Sequence, residues 1–177
     1  KRVGKSQPAN YYLNVNLFFM NLTSPESLVT EPVLLLGFAS FAFLLLALPI
    51  SFWSISEEIS SQTVKVLLAL TNFTLTAQLV LRWWQSGHFP ISNLYESLCF
   101  LAWALTLTQL LVERSWPSPL VAAATTPMAL ISIAFASFAL PEQLQEALPL
   151  VPALRSSWLV MHVSVIMCSY AALLVGS

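Results

Sequence analysis

Charged residues are scarce in this sequence. Only 8% of the 177 residues are Asp, Glu, Lys or Arg, whereas soluble domains carry about 25%. So few charges cannot cover a water-facing surface, which excludes a soluble globular domain. Seven Lys and Arg against eight Asp and Glu give a net charge of −1, so the chain also lacks the basic surface that nucleic-acid binding requires.

Cysteine and histidine are also rare. Cys99 and Cys168 both lie inside apolar runs, and no CxxC or CxxCH pattern occurs. This excludes a dithiol redox motif and a covalent haem-attachment motif. The sequence also lacks a Gly-rich phosphate loop and a recognisable nucleophile–base pair.

Long apolar runs dominate the residues that are present, because 57% of the chain is hydrophobic. A helix needs about 20 apolar residues to cross a hydrocarbon core about 30 Å thick. Five segments approach that length, at 33–53, 63–84, 94–112, 119–140 and 158–177. The sequence therefore predicts an all-α, polytopic transmembrane bundle of about five spans, preceded by a polar or interfacial segment at 1–32.

The second span is the most polar of the five, with four threonines, Asn72 and Gln78. An unpaired polar group is costly against lipid, so these side chains are expected to face neighbouring helices. Tryptophans cluster near the ends of the spans, as the aromatic belt of a membrane protein predicts: Trp53, Trp83, Trp84, Trp116 and Trp158.

His162 lies about one turn inside the fifth span, and Trp158 is on the same helix face one turn earlier. An ionisable residue at membrane depth indicates a functional site by default. A neutral imidazole can ligate a haem iron through one nitrogen or relay a proton. The alternative is a histidine that only hydrogen-bonds across a pair of helices.

The stretch SGHFPISNLYESL, residues 86–98, is an unusual polar break before an apolar span. Asn93 and Glu96 have the spacing of a capping box at a helix start. Tyr95 and Glu96 could instead bind a ligand at the membrane edge. The helix cap, however, accounts for the presence of both Asn93 and Glu96, and Tyr95 is typical of an aromatic anchor at the membrane interface. His88, between Gly87 and Phe89, is expected to be a solvated loop residue.

Arg155 follows the apolar loop LPLVPAL. Its guanidinium could hold a propionate or phosphate through a forked hydrogen bond. The simpler interpretation is an interfacial arginine that extends its charge toward water.

Two longer stretches resemble a known family. GHFPISNLYESLCFLAW and ALPLVPALRSSWLVMHVSVIMCSYAALLVGS closely resemble segments of the CcsA family of cytochrome c biogenesis proteins from plastids, cyanobacteria and other bacteria. Both occur in family order and spacing, and the resemblance covers about residues 63–177.

The resemblance implies a component of a cytochrome c synthase that delivers haem and presents it for covalent attachment to apocytochrome c. It implies haem b as the cofactor, with His162 as an axial iron ligand and Trp158 and Arg155 beside it. The implied partners are a CcsB-type (Ccs1-type) membrane protein, apocytochrome c and a thiol-reducing thioredoxin-like protein. The implied location is the thylakoid or bacterial inner membrane, with loops 85–93 and 141–157 on the periplasmic or lumenal side. His88, Asn93, Tyr95 and Glu96 would then shape that outer surface.

One departure from the family limits this expectation. The tryptophan-rich WWD segment and the second outer histidine do not occur in these residues, so the chain resembles the amino-terminal portion of a family member. Alone, it is expected to be inactive in haem attachment. The alternatives are a truncated, non-catalytic membrane scaffold and a small-solute transporter, although a transporter predicts an internal repeat and mid-membrane charges that the sequence lacks.

Overall fold

The structure is a computed structural model that describes residues 27–55, 61–141 and 156–176. Every regular element in these ranges is helical, which confirms the all-α prediction. We number the helices α1 (Ser27–Trp53), α2 (Ser61–Ser86), α3 (Leu94–Ser115), α4 (Pro119–Ala134) and α5 (Ser157–Gly176). A short π-helical turn, Phe135–Ala139, continues α4 and was not predicted.

Within the described residues, five helices are long and apolar enough to cross a membrane. The spans are Pro32–Trp53, Gln62–Ser86, Leu94–Ser115, Pro119–Ala139 and Ser157–Gly176. They agree with the predicted segments to within a few residues. The chain is therefore an integral membrane protein. The N-terminal segment at 1–32 falls outside the described residues up to residue 26, and α1 already begins at Ser27.

Local sequence signals set several helix ends. Asn93 caps α3 by accepting a hydrogen bond from the Glu96 backbone N–H. Pro119 occupies the first turn of α4, where its missing N–H costs nothing. Gly87 adopts a left-handed conformation (φ 67°) directly after α2, and its N–H donates to Trp83 O across 3.0 Å.

The first four helices form a ring in which each packs on the next, because α1 contacts both α2 and α4. Large aliphatic side chains fill the interior of this ring and are fully buried: Leu44, Leu68, Leu75, Leu105 and Ile133. Helix α5 lies outside the ring and packs mainly on α3. Half of the apolar stretch of α3 is buried inside the bundle, but only 11% of the apolar stretch of α5 is buried. Helix α5 therefore presents an open face.

The polar side chains of α2 face α3, as predicted. Asn72 donates from Nδ2 to Thr106 Oγ1 across 3.0 Å and to Trp103 O across 3.1 Å. Trp103 Nε1 donates back to Thr76 Oγ1 across 2.9 Å. These hydrogen bonds satisfy groups that lipid would leave unpaired, and they fix the register of α2 against α3.

Consecutive membrane spans run in opposite directions, so each end of the bundle collects alternate connections. One end holds the α2–α3 turn and the first turn of α5, and we call it the His162 end. The other end holds the α3–α4 turn and the last turn of α3, and we call it the Glu113 end.

Candidate functional site at the His162 end

The open face of α5 carries both residues that the sequence analysis singled out there. His162 and Trp158 are exposed, Trp158 by 76%. Ala171, the buried residue of α5, follows His162 by about two and a half helical turns and therefore points to the opposite face. The structure thus brings His162 and Trp158 together on the side of α5 that faces away from the ring.

This exposed face presents His162 as a nitrogen donor. A shallow groove lies elsewhere on α5, lined by the small side chains Ser164, Cys168, Ser169 and Ala172 together with Val165. Among the described residues, no three His, Cys, Asp or Glu side chains converge as a metal site. A porphyrin iron needs only an axial imidazole from the protein, since the macrocycle supplies the equatorial ligands, so His162 is a chemically adequate donor.

The α2–α3 turn at the same end is tightly hydrogen-bonded. Ser86 Oγ lies 2.8 Å from Arg82 O and 3.0 Å from His88 O. His88 lies in this turn and is half-buried. Its Nδ1 lies 3.3 Å from Phe89 O, and its Nε2 is shielded from solvent. The predicted loop position of His88 agrees with the structure, and its ring is only partly exposed to solvent.

Asn93 and Glu96 lie at the start of α3, where the sequence predicts a capping box. Asn93 Oδ1 accepts from the Glu96 N–H across 2.8 Å, as the spacing predicts. The Glu96 carboxylate also accepts from the backbone N–H of Ser92 across 2.9 Å and from the Ser92 hydroxyl across 2.7 Å. The Glu96 side chain therefore holds Ser92, the residue immediately before Asn93, at the end of the turn.

Glu96 also pairs with a residue that the sequence analysis did not single out. Arg82, near the end of α2, donates from Nη1 to Glu96 Oε1 across 3.2 Å. Its guanidinium carbon lies 4.4 Å from the centre of the Tyr95 ring, which is cation–π geometry. The opposite charges of Arg82 and Glu96, each near the same turn on consecutive spans, were the available sequence signal for this pair.

Tyr95 and Glu96 are buried, with 3% and 0% of their surface exposed. Tyr95 accepts a hydrogen bond from Gln78 Nε2 across 2.7 Å. The expectation that these two residues contribute to the outer surface is therefore wrong, and so is the interfacial-anchor interpretation of Tyr95. The physical reason is that Arg82 and Gln78 of α2 satisfy both polar groups inside the bundle, so that neither has to reach water.

An aromatic row connects the turn to the middle of α3. Its rings are Trp83, Phe89, Phe100 and Trp103, with successive centroid separations of 5.3, 5.9 and 5.3 Å. The first two contacts are edge-to-face, the arrangement that aromatic quadrupoles favour. The row therefore braces the α2–α3 turn against α3. Arg155 and the rest of residues 142–155 lie outside the described residues.

Comparison with known proteins identifies the sequences that this chain resembles. The family model described as Cytochrome C assembly protein matches residues 91–177, which include α3, α4 and α5. The predicted resemblance began earlier, near residue 63, and the curated relatives extend the match over most of the chain.

Two of these relatives illustrate the extent of the similarity. The "Cytochrome c biogenesis protein CcsA" of Synechococcus sp. (strain WH7803) is 78% identical over 152 residues, which cover 86% of this chain and 48% of that protein. The protein of the same name from Prochlorococcus marinus (strain MIT 9303) is 73% identical over 161 residues, 91% of this chain and 51% of that protein. The chain spans about half the length of these curated relatives. From this identity and the matched family model, we conclude that the chain belongs to the CcsA family of cytochrome c biogenesis proteins.

Proposed function

We propose that this chain acts in the maturation of c-type cytochromes, as the part of a membrane-bound cytochrome c synthase that holds haem at the His162 end. The observation that carries the proposal is the exposed His162 imidazole, together with Trp158, on the open face of α5. Within the described residues, His162 makes no hydrogen bond that would offset the cost of a histidine at membrane depth. A ligand on that face would supply the partner.

Each residue of the proposed site has a separate task. His162 offers a nitrogen lone pair to the iron, and Trp158 offers an aromatic surface to the macrocycle one turn closer to the membrane edge. Arg155 is proposed to hold a propionate by a forked hydrogen bond. Haem b, when bound, supplies the iron and the vinyl groups that become attached to cysteine.

The buried cluster at the α2–α3 turn has a positioning role in this proposal. Arg82, Glu96 and Ser92 hold the turn rigidly at the end of the bundle that also carries the first turn of α5. A fixed neighbouring surface favours a single orientation of a bound macrocycle. Asn93 acts through this turn, because it caps the helix that follows it.

The partners and the location are part of the same proposal. The cysteine-bearing substrate is apocytochrome c, and a thiol-reducing thioredoxin-like protein keeps its cysteines reduced. A CcsB-type membrane protein completes the complex. The membrane is the thylakoid or the bacterial inner membrane, with the His162 end on the lumenal or periplasmic side.

The test uses the full-length protein purified with its partner. We expect His162→Ala to lose the absorption and electron paramagnetic resonance signature of histidine-ligated haem, and added imidazole to restore part of it. His88→Ala is the matched control, since the other histidine of the chain lies at the same end but is shielded. Unchanged haem ligation in His162→Ala would refute the proposal and would favour a non-catalytic scaffold.

A further inference from the structure

The Glu113 end contains a second buried polar cluster, which the proposed function does not use. Glu113 lies in the last turn of α3 and is 5% exposed, while Gln109 of α3 and Thr125 of α4 are almost completely buried. Gln109 Nε2 lies 3.2 Å from Glu113 Oε1. Gln109 Oε1 is in hydrogen-bond contact with the Thr125 hydroxyl, so the three side chains form a chain from α4 to the carboxyl group.

Counting protons in this cluster reveals a conflict. Thr125 Oγ1 also lies 2.7 Å from Val121 O, so its single hydroxyl proton faces two acceptor oxygens. If the proton points to Gln109 Oε1, then Oγ1 and Val121 O are two acceptors in contact without a proton between them. In that arrangement Glu113 is also an ionised carboxylate inside a membrane span, and its Oε2 has no hydrogen-bond partner among the described residues. A buried ion without full pairing costs several kcal/mol.

Rotating the Gln109 amide by half a turn removes both costs. The oxygen and nitrogen of an amide are nearly equal in size, so the rotation exchanges donor and acceptor without changing the shape of the side chain. Thr125 then donates to Val121 O and accepts from Gln109 Nε2. Gln109 Oε1 now faces Glu113 Oε1 across the same gap, and these two oxygens require a proton between them.

We propose that Glu113 is a buried proton-binding site, a neutral carboxylic acid that donates from Oε1 to the Gln109 amide and exchanges its proton with water at the Glu113 end. Its Oε2 is then an uncharged carbonyl oxygen, whose missing partner costs far less than that of a carboxylate. The ligand is a proton, and the site lies at the end of the bundle opposite His162. It stands whether or not the chain handles haem.

The charged surroundings favour release of the proton rather than its permanent retention, because a nearby cation stabilises the carboxylate. On the described parts of the helices at this end, the charged groups near Glu113 are Lys65 of α2 and Arg114 of α3, and Lys65 is within electrostatic range of the carboxyl group. Lys65 is half-buried on the neighbouring helix, and it balances the charge transiently formed when the proton leaves. Arg114 and Trp116 are exposed immediately beside Glu113, so the path to water is short.

Glu96 provides a matched internal control. It is equally buried on the same helix, but it accepts from Arg82 and from the Ser92 N–H and hydroxyl. Donors therefore occupy both carboxyl oxygens, Arg82 on Oε1 and Ser92 on Oε2, and the charged guanidinium favours an ionised carboxylate. The same helix therefore holds one buried glutamate as an anion and the other as an acid.

The experiment is infrared difference spectroscopy of the full-length protein in lipid at neutral pH. We expect the wild-type minus Glu113→Gln spectrum to show the C=O band of a protonated carboxyl group, shifted in heavy water. The wild-type minus Glu96→Gln spectrum should show carboxylate bands instead. Carboxylate bands for Glu113, or an acid band that heavy water does not shift, would overturn the proposal.

A second measurement needs no variant and covers the case in which Glu113→Gln does not fold. An apolar carbodiimide adds only to protonated carboxyl groups: the acid proton moves to a carbodiimide nitrogen, the carboxylate oxygen bonds to the central carbon, and rearrangement leaves a stable N-acylurea. Peptide mass mapping should find this adduct on Glu113 and not on Glu96. Equal labelling of both glutamates, or labelling of Glu96 alone, would contradict the assignment.

Discussion

Arg82 and Glu96 form an ion pair between two consecutive membrane spans, with 3.2 Å between Nη1 and Oε1. The Glu96 side chain is completely buried, and that of Arg82 is 10% exposed. Removing two charges from water costs about as much as their attraction returns. The pair therefore fixes the geometry of the α2–α3 turn more than it adds to net stability.

Breaking this pair from one side should be severe. Arg82→Ala leaves a buried, uncompensated carboxylate, and we expect a loss of about 3–5 kcal/mol in the free energy of unfolding. Denaturant titration of the purified protein in mixed micelles measures it. Replacing both partners by apolar residues, Arg82→Met with Glu96→Leu, should recover most of the loss. Arg114→Ala, at an exposed arginine, should change little, and a similar loss there would contradict the assignment.

The N-cap of α3 should have a measurable and smaller effect. Asn93→Ala removes the acceptor of the Glu96 N–H, so we expect a loss of about 1 kcal/mol. Ser118 occupies the same position before α4 but makes no side-chain cap bond. Ser118→Ala should therefore be nearly neutral by the same thermal or denaturant assay. Equal effects of the two substitutions would show that the Asn93 cap contributes nothing specific.

The hydrogen bonds of Asn72 test how much polar contacts within the span stabilise the bundle. Asn72→Leu removes the donor to Trp103 O and Thr106 Oγ1, and hydrogen bonds between membrane helices are worth about 0.6 kcal/mol on average. We expect a loss of that size, well below the loss from Arg82→Ala. Phe73→Leu, at an exposed neighbouring position, is the control. A loss of several kcal/mol would mean that Asn72 carries a larger network.

The sequence predicted the number, the type and the approximate bounds of the helices, because the length of an apolar run is a one-dimensional property. It also predicted that Asn72 and Gln78 would face other helices, since lipid cannot satisfy them. It identified Asn93 as a cap from local spacing. The π turn at Phe135–Ala139 has no comparable pattern.

The candidate site was less predictable from the sequence. Burial of Tyr95 depends on Gln78 and Arg82, which approach it from another helix, so no spacing within 93–96 could distinguish a buried ring from an interfacial one. The same reason hid the difference between Glu96 and Glu113. Both are single glutamates near the ends of one helix, and only the folded structure shows that Glu96 contacts the Arg82 guanidinium while Glu113 contacts the Gln109 amide.

Sequence alone determined that this chain crosses a membrane, where its helices begin and end, and which family it resembles. Those properties follow from hydrophobicity and from local backbone chemistry, both of which depend on residues that are close together in the sequence. The tertiary structure decided which polar groups meet, and it placed His162 on an open face while it enclosed Glu96 and Glu113. Side-chain pairing depends on which faces of the packed helices meet, and the sequence of one helix does not specify what its neighbour presents.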